Sequence, residues 1–514
     1  MIRDLAQDGR RNVIAADVLV IGAGTIGLPI SVLLARHPTL KVVCLETGGR
    51  HQDSDTHPLN DVVQRANEYR GASHGRYRCF GGTSTRWGGA LIPFQHADLD
   101  HGDWPLTPDD LDPYVRPVEN LFGLEHGPYE DDRFPFRLGP TFVNRLAKWP
   151  VFRNRNVVSL LGDEAGKSPR LSVWVNAHVT EIDVPETRGR VQVVARSHSG
   201  NSLHVSAARV MITAGAIETT RLALLIDRRH GGVGGAASPS LGRYFSDHVG
   251  MSVADVTPVR VGPLNKLVGW RFGRGGSMRN IRFELAPEAP IRRDLPPSFT
   301  YLSPSVASDG GWFALRELYR YAQRKRMPPV SSFVDAGRNL PWIARAAWWR
   351  FVHRRLLLPD AGPLHVCIVQ EQVLDPGNRI ELSAERFDAF GVPLAEITWR
   401  PSDRDIDNVL RTAALFAETW RNTEFAAYGT WHGYSEDVIR QGMLESGGVY
   451  HPTGSTRIGR DAATGVVDRD LRMFAFPQIQ LISTSVLPTG GGSNPTMMAM
   501  MLAVRCVDRL LAGD

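Results

Sequence analysis

Cysteine is scarce: the 514 residues hold four, Cys44, Cys79, Cys367 and Cys506, scattered without pair spacing. This excludes a disulfide framework and a thiolate zinc site, and predicts a reducing, cytoplasmic setting with no metal among the functional residues. No apolar run reaches the length of about 18 residues that a spanning helix needs. No groove-reading motif accompanies the basic residues, so nucleic acid is not an expected partner. Arg10 and Arg11 precede an apolar stretch as in a twin-arginine leader, but "VIAADVLVIGAG" carries Asp17 and runs into glycines, so it reads as a first strand. The length implies two domains, or one discontinuous domain with an inserted partner. With 42% hydrophobic and 22% charged residues the chain is expected to fold.

What is present is glycine in particular places. "DVLVIGAGTIGLPISVLLA", Asp17 to Ala35, reads as a buried strand, a glycine turn and an apolar helix, the context in which G-x-G-x-x-G binds a dinucleotide. Gly22 permits the tight turn, Gly24 lets a pyrophosphate approach the backbone, and Gly27 lets helix pack closely on strand. Thr25 and Ile26 fall in the same turn, at a helix N-terminus whose free amides favour anions. "KVVCLETGG" forms a second strand ending in Glu46, nineteen residues after Gly27, where a carboxylate can accept from both ribose hydroxyls. The motif alone leaves FAD and NAD both open.

Further segments extend the pattern. In "CFGGTSTRWGG", Cys79 to Gly89, glycines beside hydroxyls suit a backbone pressed against a flat or anionic ligand, although a surface turn explains the segment taken alone. "LSVWVNAHVTEIDV" and "RVQVVARS" read as two short strands with a turn, and "HVSAARVMITAGAIETTRLALLI" as a strand, a tight turn at Ala214, Gly215 and Ala216, and a helix. Near the end, "IQLIS" is a buried strand, "PTGGGS" a permissive loop, and "NPTMMAMMLAVRCVDRLL" a helix with Asn494 as N-cap and Pro495 at its first position. "CIVQEQVLDPGNRIELS" reads as a strand carrying Glu371 and Gln372 inward. Glu371 is a candidate substrate contact, and a solvated strand face accounts for it as well.

Together these segments, with "YHPTGSTRIG" and "SVLPTGGGSNPTMMAMMLA", resemble the glucose-methanol-choline (GMC) family of flavin oxidoreductases along nearly the whole chain. The resemblance implies an α/β fold: a discontinuous Rossmann-like FAD-binding domain over 1–244, with insertions near 95–155, and 441–514, and an α+β substrate domain on an antiparallel sheet over 245–440. It also implies FAD contacts at Gly22, Gly24, Thr25, Ile26, Gly27, Glu46, Gly81, Gly82, Thr83, Ser84, Arg86, Trp87, Gly88, Val179, Ala214, Gly215, Ser485, Asn494, Pro495 and Thr496. Two positions depart from the family pattern. Ser483 stands where members often carry an acid, which removes one expected ribityl contact. The segment Thr85, Arg86, Trp87 lacks the histidine that carries FAD covalently in some members.

Oxidising an alcohol removes a hydride from carbon, which flavin N5 can take, and a proton from oxygen, which needs a base. A neutral imidazole suits that task, its ordinary pKa lying near 6.5. By resemblance His451, in "VYHPTGSTRIG", occupies the family's active-site histidine position. Asn494 falls on the second position, where a carboxamide can orient the substrate oxygen. The substrate implied is a small alcohol, with a secondary hydroxyl of a sugar or glycoside favoured by the His and Asn pair; steroid, polyketide and small alcohols stay open. The electron acceptor is oxygen or another acceptor. A lyase in which FAD is structural also stays open.

One segment falls outside this scheme. From Trp312 to Leu358 ten Lys and Arg stand against two acids, giving +8 and leaving −3 elsewhere. Its helical patterns place Trp342, Ala346, Trp349 and Leu356 on one stripe, the pattern of an amphipathic helix packed on the core. A membrane surface, a partner or an anionic substrate would suit the charge equally.

Because no histidine stands beside Trp87, the FAD is expected to be noncovalent. Acid precipitation of the purified protein should leave the yellow colour in the supernatant; colour retained in the pellet would contradict this.

Overall fold

A computed structural model describes residues 1–514 except 10, 53, 132–133, 186–188, 307–309, 324–326, 360–361 and 514. Arg10 of the leader-like pair therefore lies outside the described residues, and Arg11 opens the strand Arg11–Ile21. That strand is central to an eight-stranded sheet. Its neighbours are Val42–Leu45 and Ser202–Ile212, both parallel to it. Leu171–Val175 and Ile2–Asp4 extend one side in parallel, and Val191–Arg196 and His178–Asp183 extend the other antiparallel. The apolar run Val18–Ile21 is buried, as expected of a parallel strand covered on both faces.

The short strand Ile479–Leu481 returns from far along the sequence to pair in parallel with Val210–Ile212, so the sheet is built from both ends of the chain. The helix Thr496–Ala512 follows, every side chain from Met497 to Val507 buried. The stretch "LSVWVNAHVTEIDV" is two strands rather than one, because Asn176 adopts φ 55° and turns the chain between them.

The second sheet is antiparallel and has seven strands, with Leu364–Glu371 paired to His248–Pro258 on one side and Ser298–Pro304 on the other. Phe142–Trp149, far upstream, joins it beside Met278–Leu285. A third sheet of three strands joins Arg379–Phe387, Pro393–Trp399 and Val62–Ala66. "CIVQEQVLDPGNRIELS" therefore divides between two sheets. The turn at Asp375, whose carboxylate accepts from Gly377 N–H at 2.7 Å, separates them.

The basic segment forms three helices, Gly311–Gln323, Val330–Arg338 and Leu340–Trp348, followed by a π-helical turn Trp349–His353. The stripe residues Trp342, Ala346, Trp349 and Leu356 are each half-buried, Trp342 against Trp312, while Leu340–Trp348 leaves its other face exposed and fully buries none of its residues. Arg324, Lys325 and Arg326 fall outside the described residues.

Gly27 is the tightest point of the first turn, since a Cβ there would collide with the Gly22 carbonyl oxygen and Thr213 Oγ1. Gly27→Ala should destabilise the protein by about 1–3 kcal/mol or more, read from chemical denaturation; an unchanged midpoint would mean that helix and strand are not held at this distance.

Candidate active site

A continuous cleft follows the glycine turn. At one end Glu46 is buried: its Oε2 accepts from Ala23 N–H at 3.0 Å and its Oε1 from Gly48 N–H at 2.9 Å. Burial raises its pKa to about 7, against the lowering by these amides and Arg78. Gly22, at φ 103°, makes the turn. The second glycine segment packs against the first so closely that a Cβ on Gly82 would lie 2.7 Å from Gly24 Cα. Gly215, at φ 75°, opens the helix Ala216–Arg229 with nothing within 4 Å of a Cβ built on it.

The cleft walls include Gly22, Gly24, Thr25, Ile26, Glu46, Gly82, Thr83, Trp87, Val179, Ala214, Gly215 and Thr496. Of the other expected cofactor contacts, Gly27, Ser84, Arg86, Gly88 and Ser485 also meet partners within the protein. Gly27 sits under the turn. Ser84 donates to Gly81 O at 2.6 Å and accepts from Val157 N–H. Arg86 donates to Gln52 O and lies over the Tyr77 ring, and Gly88 abuts Trp149. Ser485 is buried between Thr456 and Ser483, each 2.6 Å away, while Ser483 and Thr484 line the cleft in its place. Arg76, Arg78 and Glu218 also line it, unremarked in the sequence because isolated charges carry no spacing signal. Arg78 pairs with Glu218 at 2.8 Å, and although burial works to raise the Glu218 pKa, Arg78, Arg221 and Arg76 hold it well below the carboxylate range.

At the far end the cleft reaches Tyr450, Pro452 and Thr496, the residues flanking His451 and Asn494. Here a hydrogen-bond chain fixes the protons. His248 Nε2 lies 2.8 Å from Gly491 O, which can only accept, so that nitrogen carries hydrogen. Burial lowers the His248 pKa to about 4, so the ring is neutral near pH 7 and its Nδ1 is an acceptor. His451 Nδ1, 3.0 Å away, must then donate to it. Since the His451 pKa is lowered well below 6.5, first by burial and then by His248 and Arg282, its Nε2 keeps a free lone pair. Asn494 Nδ2 donates to that lone pair at 2.7 Å.

Asn494 is not the N-cap expected of it. The helix begins after Pro495, no side chain caps it, and the carboxamide faces His451. Its Oδ1 is buried without a hydrogen-bond partner. A buried, unsatisfied acceptor carries a desolvation cost of about 1–3 kcal/mol, so a site that keeps one is shaped for a ligand. An exposed glycine cradle, a carboxylate at the ribose position and this orphaned oxygen at the opposite end fit a dinucleotide flavin.

Two residues that sequence reasoning missed hold the arrangement. Asp247 accepts from Tyr69 Oη at 2.8 Å and from the backbone N–H groups of His248, Tyr450 and His451 at 2.6, 3.0 and 2.7 Å. Burial raises its pKa to about 7 against those four donors. Tyr450 sits at φ 65°, a conformation rare for a bulky residue, and the Asp247 contact pins it there. The pair lies in "FSDHVG", whose only signal is two titratable groups at a strand start.

Glu371, proposed as a substrate contact, is occupied differently: its Oε2 accepts from Gly491 N–H at 2.6 Å, and burial raises its pKa to about 8. It pairs in register with His248 on the next strand, so the Gly491 peptide is gripped through its N–H by one strand and through its C=O by the other. "PTGGGS" is therefore a clamped loop. Gly491 must be glycine, since at φ 65° a Cβ would meet the Phe94 ring at 2.5 Å.

The fold and cleft define a flavin-dependent oxidoreductase. Residues 375–503 match the family model described as GMC oxidoreductase. The chain is 21% identical to the 2-methyl-1,2-propanediol dehydrogenase of Mycolicibacterium austroafricanum, over 96% of this chain and 94% of that protein. It is 24% identical to the fructose dehydrogenase large subunit of Gluconobacter japonicus, over 97% and 98%. Among solved structures, a formate oxidase from Aspergillus oryzae RIB40, studied for FAD modification, superposes with TM-score 0.59 at 17% identity, covering 98% of this chain and 99% of that one. The matched carboxy-terminal stretch is thus that of a GMC oxidoreductase, and the chain is an FAD-dependent oxidoreductase acting on CH–OH groups.

His248 is a positioning residue, so His248→Ala should lower kcat by about 10- to 100-fold with FAD content unchanged. His248→Gln, whose carboxamide can still donate to Gly491 and accept from His451, should recover most of the rate. Equal loss in both variants would mean that the tautomer order is irrelevant.

Proposed function

We propose that this enzyme oxidises a secondary hydroxyl of a sugar or glycoside to the carbonyl, with His451 Nε2 accepting the hydroxyl proton and Asn494 orienting the oxygen. The observation that carries the reading is the order of protons along Gly491, His248, His451 and Asn494, which leaves one basic lone pair at the end of the cleft. FAD, when bound, supplies the acceptor for the hydride.

The residues of the chain divide the remaining work. Asn494 Nδ2 can turn its hydrogen bond from His451 to a substrate oxygen and free the lone pair. As the proton arrives on Nε2, His451 becomes cationic, and its Nδ1–H bond to neutral His248 strengthens. The cation is not stabilised by a carboxylate on the ring itself, because Asp247 grips the backbone. A transient imidazolium in that setting returns its proton readily, which suits a base that must be reset each cycle. Glu371 serves here as a loop anchor, and the sugar-directed part of the reading draws on the similarity to a fructose dehydrogenase large subunit.

Under anaerobic rapid mixing with a panel of sugars and alcohols, the wild-type flavin should bleach with its substrate. His451→Ala should slow bleaching by about 10²- to 10⁴-fold with FAD retained, and Asn494→Ala by about 10²-fold. A loss of tenfold or less in His451→Ala would remove it from the base role.

The pH sign follows from burial. His451 is active when neutral, and its pKa is lowered, so the base form persists on acidification through the ordinary histidine range. The acid limb of the bleaching rate should therefore lie below about pH 6.5. A limb at or above that value would contradict a desolvated base.

A further inference from the structure

Apolar side chains exposed to water are distributed unevenly over this protein. Among the described residues, nine of the nineteen exposed large apolar side chains lie between Tyr319 and Val352. Val330, Phe333 and Val334 on the helix Val330–Arg338 are 78%, 52% and 46% exposed, and Trp348 and Phe351 are 61% and 80% exposed. The only residue that this helix buries is Ser332. The three helices pack on one another, and among the described residues these apolar side chains stay exposed on them.

The segment is also basic. Arg316, Arg338, Arg345 and Arg354 are exposed, and the segment carries ten Lys and Arg against two acids. Cations interleaved with Trp, Phe and Val match a bilayer with anionic headgroups, where aromatic rings settle at the interface and arginines meet phosphates. A protein partner for so apolar a face would not call for this excess of positive charge. No helix among the described residues is long and apolar enough to cross a membrane, so the contact is with the surface.

The position is also informative. Tyr319 packs edge-on against Phe152, Arg155 lies over Phe152, and Arg155 O accepts from Trp87 Nε1 at 2.7 Å. Trp87 lines the cofactor cleft, so the apolar side chains reach the cleft wall through Phe152 and Arg155, in three contacts.

We propose that the helices between Gly311 and His353 dock this enzyme peripherally on an anionic membrane surface. Phe333, Trp348 and Phe351 enter the interface, and the exposed arginines pair with lipid phosphates. The proposal goes beyond the assignment of the reaction and does not depend on it.

The holoenzyme should co-sediment with vesicles of phosphatidylglycerol and phosphatidylcholine at least about tenfold better than with phosphatidylcholine alone, and added salt should weaken the binding. The triple variant Phe333→Ser, Trp348→Ser, Phe351→Ser should lose at least about tenfold in vesicle binding. Its FAD content and melting temperature should be unchanged, because the substituted side chains are exposed. Failure of the wild type to bind vesicles would overturn the proposal, as would equal binding to both vesicle types or binding retained by the triple variant. A dimer that the triple variant dissolves, without vesicle binding, would assign the face to a second copy and overturn it as well.

Discussion

The carboxylate of Asp247 is the joint on which the active end of this enzyme depends. It stands where the antiparallel sheet meets the carboxy-terminal return, and its two oxygens take four donors from three separate parts of the chain. Hydrogen bonds to a charged group contribute about 1.5–3 kcal/mol each. Four of them offset part of the cost of burying the carboxylate, and the one from Tyr450 N–H pins that residue in its left-handed conformation. Gln372 braces the joint from behind, its Oε1 accepting from Asp247 N–H and Trp399 Nε1. The imidazole of His451 is therefore aimed by its backbone, and its ring nitrogens are left free for chemistry.

A second constraint works through the Gly491 peptide. Adjacent strands hold it from opposite sides, Glu371 by its N–H and His248 by its C=O. The carbonyl decides which nitrogen of His248 bears hydrogen, and that decision passes along the chain to His451. Proton placement in the site thus originates in a backbone group, which no side-chain substitution can retitrate. The neighbouring Gly492 N–H is held in the same way by Asp98, at 3.1 Å.

How much of this was legible in the sequence depended on whether the signal was local. The strand, turn and helix from Arg11 to Ala35 were legible because period, glycines and length agree within one short window, and Glu46 followed from its distance. His451 and Asn494 were legible because each lies in a compact motif. Asp247 and His248 were not, because they meet His451 across 204 and 203 residues and no local spacing marks the encounter. Asn494 was misread as an N-cap because its place before Pro495 fits that role, and only the fold brings an imidazole within its reach. The stripe from Trp342 to Leu356 was legible as the more sheltered side of its helices, but periodicity did not show that Leu340, Trp348 and Phe351 beside it stay exposed.

The pairing of Ile479–Leu481 with Val210–Ile212 ties the cofactor cleft to the returning segment. The glycine turn and second glycine segment belong to the first part of the chain, but the edge at Val210–Ile212 is covered only by Ile479–Leu481, far along the sequence. The cleft wall contributed by Ser483, Thr484 and Thr496 is therefore set only when this strand has paired, and without it Val210–Ile212 would be an open sheet edge.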